Sequence, residues 1–156
     1  KAVSEVFFKE ICELGVPVIV EADGARRMPC KVPAAHEPVI VPRTTTVCSV
    51  YGLDAIGQRI CDCCFRSELA AEVLGKRETD RLEAADLAKI AADGNGGCKG
   101  VKRGMDHWVI LNKADTDQRK ESAEEVCREL ERYGNRRILI TFSEETERSE
   151  MFVQKQ

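Results

Sequence analysis

Asn112, Lys113, Ala114 and Asp115 follow directly on an apolar run, HWVIL at 107–111. In that order they could read a guanine base. A carboxylate accepts from the two donors on guanine's edge, a lysine stem covers the ring, and an asparagine braces the neighbouring loop. The competing reading is a polar strand-to-helix turn in which Asp115 or Asp117 caps the next helix. The carboxyl end of a parallel strand is where open α/β sheets bind ligands, which favours nucleotide binding.

A second group is Glu21, Asp23 and Gly24, at the end of the apolar run 16–20 (VPVIV). An apolar strand that ends in a carboxylate can hold Mg2+ bound to nucleotide phosphates. Glu21 and Asp23, two apart, point to one side of an extended chain and could share an ion. A plain Asp-Gly turn explains the same residues without a ligand. The phosphate loop that should accompany both groups, GxxxxGK followed by Ser or Thr, is absent. The run GNGGCKG at 94–100 has the wrong spacing and has Gly100 where the hydroxyl is needed.

These residues need elements to carry them. Val3, Val6, Phe7, Ile11 and Leu14 recur at helical spacing between Ser4 and Gly15 and predict an amphipathic helix. Residues 16–20 read as an interior parallel strand. All five prolines fall between 17 and 42, so 23–42 is predicted as a long polar loop. Strands are predicted at 45–51, 107–111 and 137–142. Helices are predicted at 67–74, at 82–92 with Thr79 as N-cap, and at 117–133. The alternation predicts a three-layer α/β domain over 1–142, with a mostly parallel sheet between flanking helices, followed by a loose polar tail over 143–156.

A length of 156 residues suits one domain. The net charge of -3 is spread along the chain and advertises no face for nucleic acid, and no apolar run approaches the ~20 residues of a membrane span. Five of the eight cysteines are scattered, which reads as buried residues of a reducing compartment and predicts the cytoplasm. Cys61, Cys63 and Cys64 are clustered and could supply thiolates to a metal or a selenium species, although local variation near a helix start is the favoured reading. His107, beside Trp108, reads as a satisfied edge histidine.

The segment EADGARRMPCKVPAAHEPVIVP at 21–42 closely resembles the selenium-dependent hydroxylase accessory proteins, the YqeC family. Glu21 to Ala25, Lys31, Pro33 and the string His36-Glu37-Pro38-Val39-Ile40 carry the likeness. It continues through YGLDAIG at 51–57, Arg66 and Glu68, Lys99-Gly100-Val101 and Leu111 to Asp115. The resemblance implies a P-loop NTPase-like fold and a part in maturing selenium-dependent molybdenum hydroxylases. It further implies a phosphate loop upstream of Lys1, so that the fold would be N-terminally incomplete here. On this reading GTP or ATP binds with Mg2+, which Asp23 and Glu21 hold, and Asn112, Lys113 and Asp115 select guanine. Gly24, Lys31, His36 and Glu37 form a loop over the phosphates or toward the client hydroxylase or its cofactor-insertion machinery. Arg26 and Arg27 are candidates for phosphate contact, and NTP hydrolysis is left open. Phe65 stands where relatives often have His. The rival expectations are a non-catalytic binding module, with Lys31, His36 and Glu37 as loop scaffolding, and a metal or selenium thiolate carrier.

Overall fold

The computed structural model describes residues 5–135, 137–143 and 152–153. Val3, Ser4 and most of the predicted tail lie outside them. In chain order the elements are α1 (Glu5–Glu13), β1 (Cys30–Lys31), β2 (Thr46–Gly52), a 3-10 turn (Leu53–Ala55), α2 (Ile60–Cys63) and β3 (Cys64–Phe65). There follow α3 (Ser67–Leu74), α4 (Ala84–Ala92), β4 (Asp106–Asn112), α5 (Asp117–Arg132), β5 (Ile138–Ile140) and β6 (Phe152–Val153).

Two sheets form. β2, β4 and β5 run parallel in a sheet of order β2-β4-β5-β6, and β6 joins antiparallel within the stretch expected to be a loose tail. β1 and β3 make a separate two-stranded parallel sheet. The long register between β2 and β4 runs from Thr46 opposite Asp106 to Gly52 opposite Asn112, so both strands end side by side. The connection between them passes through α2, α3 and α4, as parallel pairing requires.

Alternation along the central strands selects one buried face. Tyr51, Val109 and Leu111 point into a core shared with Leu87, Ile90, Val126 and Leu130, all essentially inaccessible. Each large apolar side chain buried there contributes about 1.5–3 kcal/mol. On the opposite face Cys48 and Val50 are exposed while Trp108 and Ile110 are half-buried. Among the described residues the core therefore lies on one side of this sheet, a correction to the expected three layers. The α/β class and the flanking helices are as expected.

α4 starts at Ala84 and is capped by Glu83 and not by Thr79. Glu83 and Asp86 form a reciprocal capping box, and Asp86 also takes the Lys76 ammonium at 2.5 Å. At its other end the chain folds back tightly. A Cβ on Gly97 would stand 2.4 Å from the Ala91 carbonyl oxygen and 2.6 Å from the Tyr51 hydroxyl, so only glycine fits.

The predicted strand at 16–20 is not formed. These residues pair with no strand among those described, and Ile19 is 99% exposed, with Val16, Val18 and Val20 partly exposed as well. An apolar run satisfies the pattern of an interior strand, but a strand also needs a neighbour's hydrogen bonds. Pro17 lacks the N–H for one of them, and β2, the outermost strand of its sheet, leaves its edge free of this segment.

Candidate functional site

The carboxyl ends of β2 and β4 bring the first motif into place. Asn112 closes β4, and its Oδ1 accepts from the Lys113 backbone N–H at 2.8 Å and from the Thr141 hydroxyl at 2.9 Å. The first bond closes the turn locally and the second ties it to the segment following β5, as does the bond from Ala114 N–H to the Thr141 carbonyl. The asparagine thus braces the loop.

Lys113 adopts a left-handed backbone, φ 69°, and its ammonium donates to Asp54 Oδ2 at 2.6 Å. The other oxygen of Asp54 is buried without a partner. Asp54 follows β2 directly, and Gly52 makes room for it: a Cβ there would lie 2.3 Å from Asp54 Oδ1. Asp115 is exposed. Its Oδ1 accepts from Ser143 N–H at 2.8 Å, and Arg119 approaches Oδ2 at 3.4 Å. The cap of α5 is Thr116, whose hydroxyl accepts from Arg119 N–H, so neither Asp115 nor Asp117 is used up as the helix cap.

The second group is built by the proline-rich loop. Lys31 on β1 is 9% exposed, and its ammonium donates to Asp23 at 2.9 Å, to Glu37 at 2.7 Å and to the Gly24 carbonyl at 2.9 Å. All three of its protons are satisfied, which offsets the cost of burying the charge. Glu37 in turn receives Arg66 in a two-pronged pair, at 2.7 and 3.0 Å. The Arg66 and Lys31 cations hold the Glu37 carboxyl far below its ordinary value, at about 2.

Phe65, opposite Lys31 in the β1–β3 register, lies under three cations: Arg66 at 4.4 Å, Arg26 at 4.9 Å and Lys31 at 5.7 Å from its ring centre. Lys99 holds the loop from outside by donating to the Ala34 carbonyl at 2.5 Å. A bond from Gly52 N–H to the Pro29 carbonyl, 2.8 Å, joins this assembly to the carboxyl end of β2. The two groups therefore share one end of the fold.

Of the residues singled out from sequence, Asp23, Gly24, Lys31 and Glu37 come together, as do Asn112, Lys113 and Asp115. Glu21 sits near Gly24, its Oε1 3.8 Å from where a glycine Cβ would point, and makes no pair with Asp23. His36 stands in solvent, 3.9 Å from Glu37. Asp54, Phe65 and Arg66 join the site without having been assigned roles. The signal for Arg66 is structural: its φ of 64° is shared in kind by Arg26, Arg27, Arg43 and Lys113, so four of the five strained non-glycine residues among those described belong to or adjoin this end. Such strain tends to gather at functional sites.

Mg2+ fits only in part. Asp23 already carries the Lys31 ammonium, and the described residues contain no group of three or more His, Cys, Asp or Glu able to hold an ion. One carboxylate together with nucleotide phosphates remains a sufficient donor set for Mg2+. Cys63 and Cys64 are buried in the core, and burial pushes the Cys63 thiol up to about 12, which suits packing better than thiolate chemistry.

Among the described residues no helix is long and apolar enough to cross a membrane. No solved structure matches the chain. A protein of Escherichia coli (strain K12) described as "Uncharacterized protein YqeC" is 29% identical over 97 residues, covering 62% of this chain and 38% of that protein. The family model described as YqeC protein matches residues 1–68, the segment that contains Asp23, Lys31, Glu37 and Arg66. Over residues 1–68 the chain is therefore similar to the YqeC protein family, and that segment carries the likeness.

Proposed function

We propose that this chain is a guanine-nucleotide-binding accessory protein whose site lies at the carboxyl ends of β2 and β4. The observation that carries the reading is the Asn112 to Asp115 turn. It is braced by Asn112 against Thr141, held by a strained Lys113, and presents an exposed Asp115 that is not occupied as a helix cap. In this reading Asp115 accepts from the guanine edge and the Lys113 stem covers the base. Asp23, with Glu21 nearby, contacts Mg2+ together with the phosphates. Arg26 and Arg27, near the Asp23 end, contact phosphate. Gly24, Lys31, His36 and Glu37 shape the loop beside it. The client, a selenium-dependent molybdenum hydroxylase or its cofactor-insertion machinery, rests on the family resemblance alone.

One observation favours a second reading for part of this site. All three Lys31 protons are spent inside the loop, on Asp23, Glu37 and Gly24, which makes the cluster a clamp that sets the loop's shape. In a non-catalytic binding module the same clamp would present 23–42 to the client without any nucleotide. Calorimetry with GTP, GDP and ATP in the presence of Mg2+ separates the two readings. Heat from the guanine nucleotides that exceeds that from ATP supports the first. No heat from any of them leaves the binding module.

A further inference from the structure

At the opposite end of β4 a cavity of about 630 Å3 opens between the turn after α4 and the start of β5, lined among others by Cys98, Met105, His107 and Asn135. The hydrogen bonds around His107 fix its tautomer. The Ser49 hydroxyl donates its one proton to the Gly97 carbonyl at 2.9 Å, so toward His107 Nε2, at 3.0 Å, it acts as acceptor. Nε2 therefore carries the proton, and Nδ1 presents a lone pair. Asn135 is oriented in the same way: its Oδ1 accepts from Arg137 N–H at 3.2 Å, which turns its amide N–H toward Nδ1 at 3.4 Å. Cys98 Sγ stands 3.5 Å from that same Nδ1.

We propose that Cys98 Sγ and His107 Nδ1 form a two-toothed site for a thiophilic divalent cation of the zinc class. The spacing carries the argument. Zinc binds thiolate sulfur at about 2.3 Å and imidazole nitrogen at about 2.0–2.1 Å, and a tetrahedral angle between those bonds puts sulfur and nitrogen about 3.5 Å apart. The protein holds the two atoms at that separation before any ion arrives. The imidazole is in the tautomer a metal needs, with its other nitrogen anchored on Ser49, the arrangement that orients ligating histidines. Water completes the coordination. On binding, the sulfur–hydrogen bond of Cys98 breaks, a sulfur–metal bond forms and the proton leaves to solvent; no electron changes hands. Burial keeps His107 neutral by lowering its affinity for protons, so an ion has to displace only the Asn135 N–H from Nδ1. Burial and the Asp93 charge raise the Cys98 thiol, so the ion must also displace its proton.

The test uses Co2+ as a spectroscopic stand-in for zinc on the whole chain. A thiolate-to-cobalt charge-transfer band should appear with one equivalent and vanish on adding Zn2+. Cys98→Ser should abolish it, His107→Gln should weaken Co2+ binding by at least about tenfold, and Cys61→Ser should leave it unchanged. A wild-type chain without the band, a band that survives in Cys98→Ser, or one lost in Cys61→Ser overturns the proposal. Should Cys98→Ser lose its native far-ultraviolet spectrum, the wild type decides by alkylation with iodoacetamide mapped by mass spectrometry. Zn2+ must then slow modification of Cys98 relative to Cys61, and equal rates overturn the site.

Discussion

Replacing Glu37 by Gln removes the one charge that both Lys31 and Arg66 hold, while keeping shape and an acceptor oxygen. The size of the effect follows from the carboxyl's own titration. It is held at about 2 against an ordinary 4.5, and that difference corresponds to about 3 kcal/mol favouring the ionised form in the folded chain. The side chain keeps 17% of its surface in water, so screening brings the expected loss nearer to about 1–2 kcal/mol at neutral pH. The sign is fixed by the direction of the shift. A depressed carboxyl stabilises the fold above its unfolded value and ceases to do so as pH falls from 4.5 toward 2. Urea unfolding followed by circular dichroism should show Glu37→Gln less stable at neutral pH, with a shallower loss of stability than wild type across that acid window. A variant within about 0.5 kcal/mol of wild type at neutral pH, with the same acid slope, would refute the argument that this cluster clamps the loop.

Gly52→Ala places a methyl group 2.3 Å from Asp54 Oδ1 and 2.9 Å from the Pro29 side chain, and should lower the thermal midpoint with a loss of about 2 kcal/mol or more. Ile19→Lys should change stability by less than about 0.5 kcal/mol, because the side chain is 99% exposed; a large loss in a thermal melt would restore the buried strand at 16–20. His107, whose proton affinity burial lowers, contributes stability that is fully present above its unfolded value of about 6.5 and declines as pH falls below it. His107→Gln should flatten stability against pH in that range, as read from midpoints in urea.

The elements that sequence made legible are those whose signals are local. α3 spans the predicted 67–74, β2 and β4 differ from expectation by a residue at each end and α5 by its last residue, because alternation and helical spacing act within a few positions. The run 16–20 misleads because strand formation depends on a neighbour, which a single segment cannot reveal. The two-residue strands β1 and β3 are too short for any periodic signal; their register, Cys30 opposite Cys64 and Lys31 opposite Phe65, is set by tertiary contact. For the site, residue type and spacing pointed to Asp23, Lys31, Glu37 and the Asn112 to Asp115 turn. They could not show that Lys31 is spent on the carboxylates, that Arg66 closes the network from 29 residues away, or that Asp54 answers Lys113. Nor could they show Cys98 against His107, because the eight residues between them include a turn whose course no pattern predicts.

The central claim, that Asp115 reads the edge of a guanine base, is tested most directly by exchanging the base and the acceptor together. Aspartate accepts two protons from guanine, whereas asparagine offers one donor and one acceptor, which match xanthine's carbonyl and adjoining N–H. In calorimetric titrations with Mg2+, the wild-type chain should bind GTP more tightly than XTP, and Asp115→Asn should invert that order. A preference left unchanged by the substitution, or a wild-type chain that takes up neither nucleotide, would contradict it.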